Sequence, residues 1–116
     1  MNQERRRHPR YPVKIPIKTK SPAGEEITIS AANISLTGVY CHSSHFIPEM
    51  TQMRLQVELP FSAGSEFISA DGVVVRVEPD EPSPETENYR FALFFTSISP
   101  EDREKLKHYL EEHVKL

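Results

Sequence analysis

Apolar and polar residues alternate in segment after segment of this chain. That period of two constrains its fold more than any other feature. In residues 13–18, VKIPIK, Val13, Ile15 and Ile17 fall on one side and Lys14, Pro16 and Lys18 on the other. Successive side chains of an extended chain point to opposite faces, so the pattern marks a half-buried strand. Pro12 and Pro16 place it at an edge or beside a bulge, because proline donates no backbone hydrogen bond. Ile27, Ile29 and Ala31 repeat the pattern after the turn signal Ser21-Pro22-Ala23-Gly24. Asn33 to Gly38 reads as a turn, and Val39 to His42 as a short strand. Met53, Leu55, Val57 and Leu59 form another strand, which Pro60 to Gly64 is expected to break. Glu66 to Glu78 is long and strand-rich, with Gly72 marking a bulge or a close backbone approach. Pro79 to Asn88 is proline-rich and acidic, which predicts a mobile loop. Tyr89 to Thr96 is a final strand, with Phe91, Phe94 and Phe95 as its aromatic core signature.

The period then changes. Ser99-Pro100-Glu101-Asp102 is a helix start, with serine at the N-cap, proline at the first helical position and acids in the first turn. Leu106, Leu110 and Val114 recur at spacing four on one face. Glu101 with Lys105, and Glu111 with Lys115, are favourable pairs at i,i+4. About six strands with short turns and one closing helix predict an antiparallel barrel or sandwich with a terminal helix.

The chain has 116 residues, enough for one domain with its own core. Its longest apolar runs are short, as in Val73-Val74-Val75, so no membrane insertion is expected. The N-terminus is charged and lacks an apolar h-region, so no secretory signal is expected. The lone Cys41 forms no internal disulfide, which fits a reducing, cytoplasmic location. The sequon Asn33-Ile34-Ser35 is then a chance match.

The net charge of −3 conceals an asymmetry. Residues 1–20 carry seven basic side chains and one acid, or +6; the remainder carries seven basic and sixteen acidic, or −9. A basic arm on an acidic body fits either an anionic partner or a tail that docks on the body itself.

No Gly-rich phosphate loop, GxSxG elbow or HExxH is present, so no enzymatic reading has a motif behind it. Cys41, His42 and His45 make a CHxxH cluster. In a strand Cys41 and His42 point to opposite faces, and no further ligand stands at a suitable spacing. Cys41 is expected in the core. His108 and His113 are five apart on a helix and do not share a face well.

Two short motifs carry more. Arg5, Arg6, Arg7 and Arg10 lie within six residues with no lysine among them. Arginine offers a planar fork of donors that pairs bidentately with phosphate, stacks on flat rings and reads the O6/N7 edge of guanine. In NISLTG, Asn33 and Ser35 suit a turn, and Gly38 permits positive φ or a close approach.

Together, Arg6 and Arg10 in RRHPR form RxxxR, and Asn33, Ser35 and Gly38 in NISLTG form [D/N]xSxxG. In this order, with ERRRHPRYPV, GVVVRVE and YRFALFF, the chain resembles the PilZ domain family along nearly its whole length. The resemblance implies a mainly β fold: a six-stranded antiparallel Greek-key β-barrel with a C-terminal α-helix. The whole chain, 1–116, would be one such domain: a flexible basic arm at 1–10, a barrel at 11–98 and a helix at 99–116. It also implies a bacterial receptor for the second messenger cyclic di-GMP, without catalysis and with no other cofactor. Arg6 and Arg10 would contact guanine and phosphate from the arm. Asn33 and Ser35 would hold guanine and nearby groups from the barrel surface, and Gly38 would keep the turn open. Asn33 stands where relatives often carry aspartate; an amide offers one acceptor oxygen to guanine where a carboxylate offers two. Ala92 stands where relatives often carry glycine. In the family, an arginine at the place of Arg5 accompanies binding of a stacked ligand pair. The chain would signal to an effector protein in trans, and a homodimer is compatible with this. The rival readings are a PilZ-like adaptor that does not bind cyclic di-GMP and a small-barrel nucleic-acid-binding protein.

Overall fold

The computed structural model describes residues 11–114, and side chains from residue 13 to residue 113. Among these, alternation becomes six strands: β1 (Tyr11–Lys20), β2 (Glu26–Ile34), β3 (Gly38–Ser43), β4 (Gln52–Phe61), β5 (Gly64–Glu78) and β6 (Tyr89–Ile98). Helix α1 (Pro100–Val114) follows. The strands close into an antiparallel barrel in the order β1-β2-β3-β6-β5-β4, with β4 returning to β1. The run β4-β1-β2-β3 is a Greek key, in which β4 comes back by a longer connection to lie beside β1.

The apolar half of each alternation points inward. Ile15, Ile17, Ile29, Ile34, Val39, Cys41, Leu55, Val57, Leu59, Ile68, Phe91 and Leu93 are buried. Each large aliphatic side chain so buried contributes about 1.5–3 kcal/mol relative to exposure. Desolvation of Cys41 pushes its thiol up to about 12. On β6 the alternation is strict: Tyr89, Phe91, Leu93 and Phe95 face in, whereas Phe94 is 49% exposed and leaves the expected aromatic core.

Prolines fit where pairing is sparse. β1 and β4 register only through Ile17 with Val57 and Lys18 with Gln56. Pro16 and Pro60 lie outside that short seam. Pro60 therefore does not break β4, which continues to Phe61. The hairpin turn is only Ser62-Ala63, and Gly64 takes φ 131°, where L side chains are strained.

The helix start is as the sequence predicts. The Asp102 N–H donates to Ser99 Oγ at 3.1 Å, an N-cap bond. Leu106, Tyr109 and Leu110 are buried where α1 packs on β5 and β4. Asp102 also ties the helix to the barrel, its Oδ2 accepting from the Ser69 N–H at 3.0 Å. Lys105 approaches Asp102, at 3.8 Å, instead of Glu101. Lys115 and the Val114 side chain lie outside the described residues. The Phe61 ring stacks on His108 and meets His113 edge-on, so one aromatic side chain contacts both histidines. No helix of the described residues is long and apolar enough to cross a membrane.

Candidate functional site

Two of the barrel's β-bulges decide what one part of its outer face shows to solvent. In β2, Ala31 pairs with Cys41 of β3 but Asn33 pairs with Tyr40, so Ala32 is an extra residue. Strict alternation from Ala31 would turn Asn33 inward. The extra residue shifts the phase, so Ile34 goes into the core and Asn33 shares the outer face with Tyr40. In β5, Val74 pairs with Leu93 of β6 but Arg76 pairs with Ala92, so Val75 is extra. Val75 and Arg76 therefore both face outward, and Val77 returns to the core.

The bulges lie at the two ends of one cross-strand row. Asn33 pairs with Tyr40, Tyr40 with Ala92, and Ala92 with Arg76. On the other side of Asn33, the backbone of Pro12 is its partner in β1. A parallel row runs from Ser30 through His42 and Arg90 to Glu78. Between the rows an open cleft of about 520 Å³ is lined by Tyr40, Val75, Arg76, Glu78, Arg90 and Ala92. Ala92 thus faces outward into this cleft, where its methyl group forms part of a shallow floor. The Tyr40 ring stands edge-on to His42, with centroids 6.1 Å apart.

Asn33 is the polar anomaly of this face. Its Oδ1 is buried and finds no hydrogen-bond donor among the described residues. An unpaired buried acceptor costs about 1–3 kcal/mol, so such atoms mark strain or a site completed by another group.

Ser35 and Gly38 sit differently. Ser35 is buried and its Oγ works within its own turn. The Thr37 N–H donates to it at 3.1 Å, and it donates to the Gly38 carbonyl at 3.4 Å. The Ser35 N–H also donates to the Gly38 carbonyl, at 2.9 Å. Gly38 does not need a left-handed φ. A Cβ there would collide with the Leu93 carbonyl, so glycine lets β3 close on β6. The turn is stitched outward as well. The Phe95 N–H donates to the Thr37 carbonyl at 2.8 Å, and Arg103 of α1 donates to the Leu36 carbonyl at 3.3 Å. The structure therefore brings Asn33 to the cleft row and uses Ser35 and Gly38 to hold the neighbouring turn. Arg5, Arg6 and Arg10 lie outside the described residues. The first described residue, Tyr11, pairs with Ile34, so the chain joins the barrel at the Asn33 end of the row.

Sequence reasoning missed Arg76, Arg90, Glu78 and Tyr40 as cleft residues. Arg76 lies 3.0 Å and Arg90 3.5 Å from the Glu78 carboxylate. Arg76 and Glu78 stand in the segment VVVRVE, but the Val75 bulge resets which face Arg76 takes, and Tyr40 and Arg90 come from other strands, so period-two reading does not bring the four together. A larger cleft of about 680 Å³ opens at the β1–β4 seam beside Lys18, Lys20 and Arg54. It contains none of the motif residues. Cys41 is in the core and His42 outside, so they share no site.

The chain matches the PilZ domain family over residues 4–112. No curated protein matches it by sequence. Among solved structures, the Bacillus subtilis inhibitor of motility MotI/DgrA superposes with a TM-score of 0.76 at 20% identity, covering 95% of this chain and 52% of that one. The PilZ domain of Escherichia coli YcgR with c-di-GMP gives a TM-score of 0.63 at 17% identity, covering 97% and 99%. The K. pneumonia MrkH–c-di-GMP complex gives 0.68 at 19%, covering 95% and 53%. The chain thus spans about half the length of the MotI and MrkH chains. The closed barrel, the terminal helix and the match along almost the entire sequence place this chain in the PilZ domain family.

Proposed function

We propose that this chain is a receptor for cyclic di-GMP, binding it on the outer face beside Asn33 and beneath the arginines of residues 5–10. The observation that carries the reading is the buried Asn33 Oδ1, which has no donor among the described residues and is held on the outer face by the Ala32 bulge. A guanine edge supplies the N–H donors that this acceptor lacks. Family membership and the c-di-GMP-bound relatives support the choice of ligand.

In this mechanism Arg6 and Arg10 stack on guanine and pair with phosphate, and Arg5 recruits a second, stacked ligand. Ordering the arm costs about 1–2 kcal/mol per residue, so several charge-assisted contacts must offset it. Ser35 and Gly38 contribute by fixing the turn and the β3–β6 approach, not by direct reach. No bond is made or broken. The closed arm changes the surface offered to an effector protein in trans or to a second copy of the chain.

Titration calorimetry with cyclic di-GMP tests this. The wild type binds, and Arg10→Ala loses on the order of 2–5 kcal/mol, the scale for removing one partner of a desolvated charge pair. Unchanged affinity in Arg10→Ala, or tighter binding of single-stranded RNA than of cyclic di-GMP, contradicts the reading.

A further inference from the structure

We infer that Arg76 and Arg90 form a second anion-binding station at the far end of the cleft, where Glu78 acts as a built-in counter-ion that a ligand phosphodiester displaces. This rests on the receptor reading above and adds residues to that site that its motifs do not include.

The geometry is specific. One carboxylate is divided between two guanidinium groups, Oε2 facing Arg76 at 3.0 Å and Oε1 facing Arg90 at 3.5 Å. The side chains remain 71% exposed for Arg76 and 52% for Arg90, with Glu78 at 43%. Each guanidinium carries five donors, and most of them still face the cleft and solvent. The Val75 bulge is what turns Arg76 to this face, in the same row as Asn33. Three strand spacings separate Asn33 on β2 from Arg76 on β5, or about 14 Å. A ligand with two bases on a ring of two phosphates can meet both ends at once. Ala92 and Tyr40 lie between them.

The chemistry favours exchange. A phosphodiester offers two non-bridging oxygens to arginine forks much as a carboxylate does. Ion pairs this exposed contribute little, so Glu78 can yield its partners at small cost. The triad keeps one net positive charge, which draws an anion, while Glu78 sets the affinity below what two free arginines would give. Glu78 thereby limits binding of any stray phosphate.

The test is calorimetric titration of the full chain with cyclic di-GMP, in the wild type, Glu78→Gln, Arg76→Ala/Arg90→Ala and the triple variant. Thermal melting without ligand checks that each is folded. The expected results are binding about threefold to tenfold tighter in Glu78→Gln and at least about tenfold weaker in the double variant. In the triple variant the Glu78 substitution no longer tightens binding. Wild-type-like affinity in both Glu78→Gln and the double variant overturns this inference and leaves the receptor reading standing. Weaker binding in Glu78→Gln overturns it too, since Glu78 would then be a positioning residue. A wild type that does not bind overturns the receptor reading and this inference with it.

Discussion

The inner and outer faces of this barrel are written by the same strands and obey different rules. The inner face follows period two: Ile15 and Ile17, Met53 to Leu59, and Tyr89 to Phe95 enter the core in regular alternation. Across the cleft row the outer face follows the bulges, and Ala32 and Val75 place Asn33 and Arg76 where alternation alone would not. Burial fixes the first face, because a register slip would expose its apolar set. The second face is free to carry unsatisfied or charged groups, and the proposed site is built from those. Substitutions on the two faces should therefore separate stability from binding.

The largest effect belongs to the inner face. Leu55→Ala deletes a side chain with no exposure and should cost about 2–5 kcal/mol in urea unfolding, with a lower midpoint. A loss under 1 kcal/mol would show that the core relaxes around the cavity and that the face is less constrained than alternation implies. Gly38→Ala comes next, at about 1–3 kcal/mol, because its methyl meets the Leu93 backbone carbonyl and not a movable side chain. Native-like stability there would remove close β3–β6 approach as the reason for glycine.

On the outer face, Asn33→Ala should leave unfolding free energy within about 0.5 kcal/mol of wild type or raise it, since it deletes a buried acceptor that has no partner among the described residues. The same variant should bind cyclic di-GMP at least about tenfold more weakly. Destabilisation above 1 kcal/mol would make Asn33 a structural residue. The smallest effect is chemical. Burial raises the Cys41 pKa from 9.0 to about 12, so its neutral thiol is favoured in the fold. Unfolded chains ionise near pH 9 and folded ones do not, so this group's contribution to stability is complete below pH 9 and declines between pH 9 and 12. Alkylation at pH 8 should be slow in the native protein and fast in denaturant.

Much of the fold was legible because the chain repeats one rule and then breaks it once. The strand segments, the Ser99 cap and the Leu106–Leu110 stripe follow from periodicity and end signals. The barrel closure and the neighbours β3–β6 and β4–β1 are long-range pairings that no local pattern encodes; they entered only through resemblance. Pro60 does not end β4, because proline ends a strand only where its missing N–H is needed, and the seam there is short. Phe94 is aromatic but falls on the outward phase of β6, and phase outweighs residue type there. Within the site, Asn33 was legible as a motif residue, but its outward placement depends on one inserted residue. Arg76, Arg90 and Glu78 come from β5 and β6, and a cleft assembled across strands has no signature along the sequence.

The central claim is that ligand binds the row from Asn33 to Arg76. Amide NMR shift mapping during titration with cyclic di-GMP tests it most directly. The account predicts the largest changes at Asn33, Tyr40, Ala92 and Arg76 and in the segment before Tyr11. Changes concentrated instead at Lys18, Lys20 and Arg54 along the β1–β4 seam, or no changes at saturating ligand, would contradict it.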